Sequence, residues 1–310
     1  MFFGIVAQSA TSAGHIIIPV GAAGGLATVV GVGSSTVGGT GVGAASGAAI
    51  VSAAGKALAA GMGSASGLAT ISGVGRPLAT GAGSSSGVVT VSGVPPQIAL
   101  TFIGTAQVSG TSGTATFTNT NIGTASSDRL VIAALTGVRS TITARTLSSV
   151  AIGGNAATTH ISQVQNASGS AGINCSISSL VVPSGTTATI TAVYSGAFTE
   201  CFLDVYTLTQ YNSSTPTATN SNVVASGDPS TTINVTGTGV AIGMWCGSSG
   251  TSGSPTWTGL STRNSDANVT GVSNVRASSA GQGGLSTETP RTISATSGMT
   301  AEMIVAASWH

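Results

Sequence analysis

The feature that most constrains this chain is a repeat near its start. Three consecutive 20-residue units open on Gly41-Val42-Gly43, Gly61-Met62-Gly63 and Gly81-Ala82-Gly83. Within each follows a Ser-Gly pair (Ser46-Gly47, Ser66-Gly67, Ser86-Gly87) and then a β-prone run: Ala48 to Ser52, Leu68 to Ser72, Val88 to Ser92. Lys56 and Arg76 fill the same slot in successive units, and Pro96 takes it in the last. Residues 25–33 form an earlier, offset copy. Short apolar runs bounded by glycine read as strands and turns. No such unit buries enough surface alone, so stability has to come from stacking. Gly41, Gly43, Gly47, Gly61, Gly63, Gly67, Gly81, Gly83 and Gly87 are therefore assigned to assembly. Wrapping three or more chains would share burial and pair strand edges. Residues 1–97 are thus expected to form a shaft or anchoring arm, in a homotrimer. Two plainer readings of the same letters are a flexible tether and an Ala-rich helical hairpin over residues 44–60.

Charge narrows the function. Among 310 residues there are eight Lys and Arg and seven Asp and Glu, 5% of the chain and a net charge of +1, against about 25% in an ordinary domain. Nucleic-acid binding through phosphates needs a basic cluster that this composition lacks. Disorder pairs low hydrophobicity with high net charge, whereas 41% of these residues are hydrophobic. The least polar window, residues 14–33, is interrupted by glycines and Pro19 and is not expected to span a membrane. Met1-Phe2-Phe3-Gly4 carries no basic region of the kind that opens an export signal.

After Val94-Pro95-Pro96-Gln97 the pattern changes. Alternating apolar and Ser/Thr runs recur, among them Arg129 to Leu135, Thr187 to Tyr194, Cys201 to Leu208 and Met303 to Ala307. Turn signals such as Pro183-Ser184-Gly185 and Gly227-Asp228-Pro229 separate them. No stretch has helical periodicity with caps. The fold class is all-β: a Gly-rich repetitive β region, then one β-sandwich head over residues 98–310, of jelly-roll type, with about a dozen strands.

Several segments of this head resemble a known family. They are Phe117-Thr118-Asn119-Thr120-Asn121-Ile122-Gly123-Thr124-Ala125, Asp128-Arg129-Leu130-Val131-Ile132, Leu147 to Gly154 and Val182 to Ile190. Together they are similar to β-sandwich domains in virion proteins of tailed bacteriophages, and the Gly-rich repeats are similar to those of phage fibre and spike proteins. The resemblance implies a virion-surface component (head fibre, decoration protein or tail fibre) made in the bacterial cytoplasm, with other virion proteins of the capsid or tail as partners. It carries over no catalytic residue.

Chemistry is sparse. The seven carboxylates are Asp128, Glu200, Asp204, Asp228, Asp266, Glu288 and Glu302; their spacing suggests no paired acid and base. Asp128-Arg129 reads as a strand-entry turn with local pairing. Glu200 and Asp204 are expected on one face of a strand. His15, His160 and His310 are isolated, which disfavours a metal site. The letters around Ser85 match a nucleophile elbow, but Ala45 and Ala65 take that slot in sister units. Neither enzyme activity nor any cofactor is expected. Cys175, Cys201 and Cys246 make no framework; one bridge, Cys175 to Cys201, competes with buried free thiols. An uncharged sandwich can still hold a host-surface glycan through an exposed aromatic. Trp257, within Gly253 to Gly259, is the first candidate platform and Tyr211 the second. Packing under a loop is the alternative for both, and Trp245 and Trp309 read as core.

Overall fold

The computed structural model describes residues 97–310 apart from 111, 167–170, 251, 252, 262, 270, 271 and 273. Within residues 1–96 it describes the backbone of nine strands, and at 249, 250 and 263 likewise the backbone alone. Every described element is a strand, so the all-β class holds. The chain divides into two compact units, Met1–Pro96 and Gln97–His310.

In the first unit the strands are β1 (Ser9–Ala10), β2 (Ile16–Ile17), β3 (Leu26–Val32), β4 (Val37–Val42), β5 (Ala48–Ala54), β6 (Ala57–Met62), β7 (Leu68–Val74), β8 (Leu78–Ala82) and β9 (Val89–Val94). The odd-numbered strands form one parallel sheet and the even-numbered ones another. Ala48 pairs with Leu68, Ala69 with Val89 and Leu58 with Leu78, so the sequence period is also the register of the ladders. Leu26 pairs with Ala48, which is the offset of the earlier copy. β5 and β6 occupy the stretch for which a helical hairpin was the alternative. Gly41, Gly61 and Gly81 lie in β4, β6 and β8; Gly43, Gly47, Gly63, Gly67, Gly83 and Gly87 lie outside the described residues, as do His15 and Ser85.

The second unit departs from the expected single sandwich. It holds sixteen strands in two lobes. The first lobe contains β10 (Ala99–Ser109), β11 (Thr114–Asn121), β12 (Leu130–Arg139), β13 (Leu147–Ile152), β14 (Asn155–Asn166), β15 (Gly172–Val181), β16 (Thr187–Tyr194) and β17 (Glu200–Thr209). The second contains β18 (Ala218–Val224), β19 (Ser230–Val235), β20 (Gly239–Gly250), β21 (Thr256–Thr258), β22 (Arg263–Asn268), β23 (Val275–Leu285), β24 (Glu288–Thr296) and β25 (Met299–Trp309). In the first lobe the order is β10-β17-β12-β15-β14-β13-β16-β11, antiparallel throughout. β14 bends from one face to the other, pairing with β15 and with β13, so the lobe is a barrel left open between β10 and β11. In the second lobe the sheets are β18-β25-β20-β23-β22 and β19-β24-β21. Counted within its lobe, each has strands first-eighth-third-sixth-fifth on one side and second-seventh-fourth on the other. The two lobes share one topology.

Three apolar cores follow from how the strands alternate. Leu130, Ile132 and Ala134 of β12 face the second lobe, while Val131, Ala133 and Leu135 face the interior of the first. Met303, Val305, Ala307 and Trp309 of β25 likewise face the first lobe, and Ile304 and Ala306 their own. The five-stranded faces of the two lobes therefore pack on each other through Ile173, Ile177, Phe202, Ile242 and Met244. Strands covered on both faces become near-continuous apolar runs: β12, β17 and β20 are buried along most of their length, whereas outer β19 alternates exposed and buried. Close approach sets some glycines. A Cβ on Gly137 would lie 2.6 Å from the Tyr194 ring, and one on Gly243 would lie 2.7 Å from that of Trp257.

Candidate functional site

Three of the four segments that carry the family resemblance meet around Arg129, while residues 147–154 pair with β16. The Arg129 side chain is buried. Nε donates to Val182 O at 2.8 Å, one terminal nitrogen to Gly123 O at 2.6 Å, and the other to Ser184 O at 2.9 Å and Gly185 O at 2.8 Å. A planar guanidinium can serve such a fan of carbonyls where a lysine cannot. This fan, more than the expected local pairing, organises the turn. Asp128 accepts from Ser126 Oγ and, across the linker that follows β17, from Gln210 N. The site is a loop clamp.

The polar centre of the unit lies elsewhere, in the seam between the lobes. Asp204 of β17 is buried, and its Oδ2 accepts from Ser265 Oγ of β22 at 2.5 Å. Ser265 Oγ contacts Ser279 Oγ at 3.1 Å and accepts from Ser279 N at 2.9 Å. Ser279 Oγ meets the Tyr206 hydroxyl at 2.5 Å, which donates to Asn264 Oδ1 at 3.1 Å. Burial pushes the Asp204 carboxyl up from 3.8 to about 7, with the Ser265 and Ser279 hydroxyls pulling the other way. Outward from Tyr206 a groove of about 310 Å³ opens, lined by Leu100, Phe102, Tyr206, Ser261, Asn264 and Gln282. Phe102 and Tyr206 are tilted rings 5.1 Å apart. Among the described residues the lining has aromatic, amide and hydroxyl groups and no charged side chain, a composition suited to a neutral, hydroxyl-rich ligand. Sequence reasoning missed this groove because its residues come from β10, β17, β22, β23 and the loop before β22, with no shared motif.

The predicted platforms are placed differently. Trp257, on β21, packs against the second lobe's core with its six-membered ring over Gly243, and its indole N–H donates to Ser278 Oγ at 3.0 Å. Tyr211 packs against the interlobe core, with its hydroxyl pushed up by burial and by Asp128. Both side chains are half-buried against these cores. Trp245 and Trp309 are buried as read, Trp245 donating to Glu302 at 2.8 Å.

The remaining titratable groups are dispersed. Glu200 accepts from Ser109 Oγ, and the pairs Asp266–Arg276 and Glu288–Arg291 stand apart. Ser297 serves both Asp228 and Glu302, and burial raises the Glu302 carboxyl. His160 contacts Ser179 and lies edge-on to Trp309, and burial lowers its pKa; His310 contacts Thr217. Among the described residues no three His, Cys, Asp or Glu group as metal ligands. All three cysteines are free and buried. The Cys175–Cys201 bridge does not form, because Cys175 faces the seam and Cys201 the interior of the first lobe. Among the described residues no helix is long and apolar enough to cross a membrane.

No family model matches the chain, and no curated protein matches its sequence. Among solved structures, the enzymatically active domain of tailspike protein 4 of bacteriophage CBA120 aligns at 11% identity and a TM-score of 0.19 over 66% of this chain. The tailspike protein gp49 of Pseudomonas phage LKA1 aligns at 11% identity and a TM-score of 0.12 over 62%. The chain spans 44% and 43% of those proteins' lengths.

Proposed function

We propose that this protein is a non-enzymatic structural component of a tailed-phage virion surface (fibre, spike or decoration protein), in which residues 98–310 form the exposed head. The observation that carries the reading is the build of that head. Two lobes of identical strand order stand back to back, an order that supports a jelly-roll reading of each, and the sheets between them are buried on both faces. Such a block is rigid and presents few charges. The repeats of residues 1–97, on this reading, bring copies of the chain together, most naturally as a homotrimer, and dock them on capsid or tail proteins. Light scattering on the full chain and on a version lacking residues 1–97 tests this. A mass of about three times 29.6 kDa that falls to one head per particle on truncation is the expected result. A truncated head that keeps the full-length oligomer overturns the assembly role of the repeats.

The seam groove favours a second reading, a carbohydrate-binding adhesin or receptor-binding protein. Phe102, Asn264, Gln282 and Ser261 supply what a neutral sugar needs. A glycan array with the wild type and with Asn264→Ala tests it; binding that the substitution leaves unchanged would move the site elsewhere.

A further inference from the structure

Asp204 sits in surroundings that suit a neutral acid. An ionised carboxylate offers about four lone-pair sites; here Oδ2 has the Ser265 hydroxyl, and Oδ1 has no hydrogen-bond partner. No cation faces it among the described side chains. The residues opposite on the neighbouring strands are Thr105 of β10 and Ala134 of β12. β10 carries no charged residue, and Arg139 stands at the far end of β12. On its own strand Glu200 is held by Ser109 and Tyr206 is buried. Across the seam, Asp266 of β22 is paired with Arg276 of β23, and the Arg263 side chain lies outside the described residues.

Each hydroxyl in the chain beyond Asp204 has one proton to give. With the carboxyl protonated, Asp204 donates to Ser265, Ser265 to Ser279 and Ser279 to Tyr206, which leaves the Tyr206 proton for Asn264 in the groove. With the carboxyl ionised, Ser265 donates to Asp204. Three hydroxyl protons then serve four contacts, so one of the links Ser265–Ser279, Ser279–Tyr206 and Tyr206–Asn264 is left without a proton. We propose that this chain is a proton-operated latch between the two lobes, closed with Asp204 protonated and loosened when it ionises. Closed, it runs unbroken from the first lobe into the second. Open, it is broken at one link and leaves a buried charge in the seam.

The direction follows from linkage. The folded state holds this proton more tightly than the unfolded chain, so the stabilisation is whole below the ordinary carboxylate value and is lost as pH rises through about 7. Urea unfolding of the full chain from about pH 5.5 to about pH 8.5 reads it. The wild-type midpoint should fall across that interval, and Asp204→Asn should remove that fall, leaving only what His160 and Glu302 contribute. Protease cleavage in the linker at residues 210–217 should speed up with pH in the wild type relative to Asp204→Asn. An Asp204→Asn protein that tracks the wild type in both readouts overturns the latch. If Asp204→Asn does not fold, Ser265→Ala decides. It removes the hydroxyl that steadies the ionised form, so the pH of the transition should move upward; a transition that stays in place overturns the proposal.

Discussion

Replacing Arg129 by methionine removes the fan of bonds that gathers three of the resembling segments while filling the volume of the side-chain stem. Its four acceptors, the carbonyls of Gly123, Val182, Ser184 and Gly185, do not all suffer equally. Ser184 and Gly185 are exposed, so their oxygens regain water; Gly123 and Val182 are half-buried and regain it poorly. A buried group left without a partner costs about 1–3 kcal/mol, which for two carbonyls gives about 2–6 kcal/mol. Against this stands the relief of no longer burying a cation, a penalty of several kcal/mol before relaxation. Relaxation and entering water shrink that relief to about 0–2 kcal/mol, so a net loss centred on about 3 kcal/mol, roughly 2–4, is expected. At about 2–4 °C per kcal/mol for a domain of this size, the head should melt roughly 4–16 °C lower. Arg129→Lys should fall between the two, since an ammonium has three donors and no planar fork. Urea denaturation of the three proteins gives the ordering directly. An Arg129→Met protein within about 0.5 kcal/mol of wild type would refute the reasoning: desolvation of the guanidinium would then cancel all four bonds.

Trp257→Ala should destabilise the head by about 3 kcal/mol, while Trp257→Phe, which keeps a ring over Gly243 and loses the bond to Ser278, should cost about 1 kcal/mol; thermal melts separate the two. Gly137→Ala forces a methyl against the Tyr194 ring and should cost about 1–3 kcal/mol, read from the shift of the urea midpoint. A thiol reagent should label none of the three cysteines in the native protein at neutral pH and all three after unfolding. All are buried, and burial pushes the Cys201 thiol up to about 12. Native labelling of Cys175 or Cys246 would show that the seam opens freely.

Much of the fold was legible because local rules suffice for it. The 20-residue period of Gly41, Gly61 and Gly81 reappears as the register of β4, β6 and β8, since a repeat that stacks in parallel pairs like with like. Strand positions such as Leu130 to Leu135 and Cys201 to Leu208 came from their apolar runs. The duplication of the head did not. β12 and β20 occupy the same place in their lobes, yet LVIAALTGVR and GVAIGMWCGSSG share little beyond being apolar. A fold repeated without sequence similarity leaves no period to count. The surroundings of Trp257 were hidden for a related reason: its glycine-flanked setting reads as a loop, whereas Gly243 on the neighbouring sheet gives its half-buried ring a socket.

The doubly buried strands raise a problem that the seam residues answer. A strand with one wet face has its register set by alternation, because a slip by one residue would turn every apolar group to water. β12, β17, β20 and β25 lack that safeguard: Leu130 to Leu135 and Met303 to Ala307 are apolar on both faces. Between the lobes, apolar contact alone would tolerate several alignments of one sheet on the other. The polar contacts across the seam accept one. Asp204 reaches a hydroxyl only where Ser265 stands opposite, and Tyr206 reaches Ser279 and Asn264 together only in the same alignment. A misaligned seam would leave a buried carboxyl and a buried phenol without partners, each a loss of about 1–3 kcal/mol or more. Burying Asp204 therefore costs stability at high pH and, in the same stroke, selects the one way in which two sheets of nearly featureless apolar faces can meet.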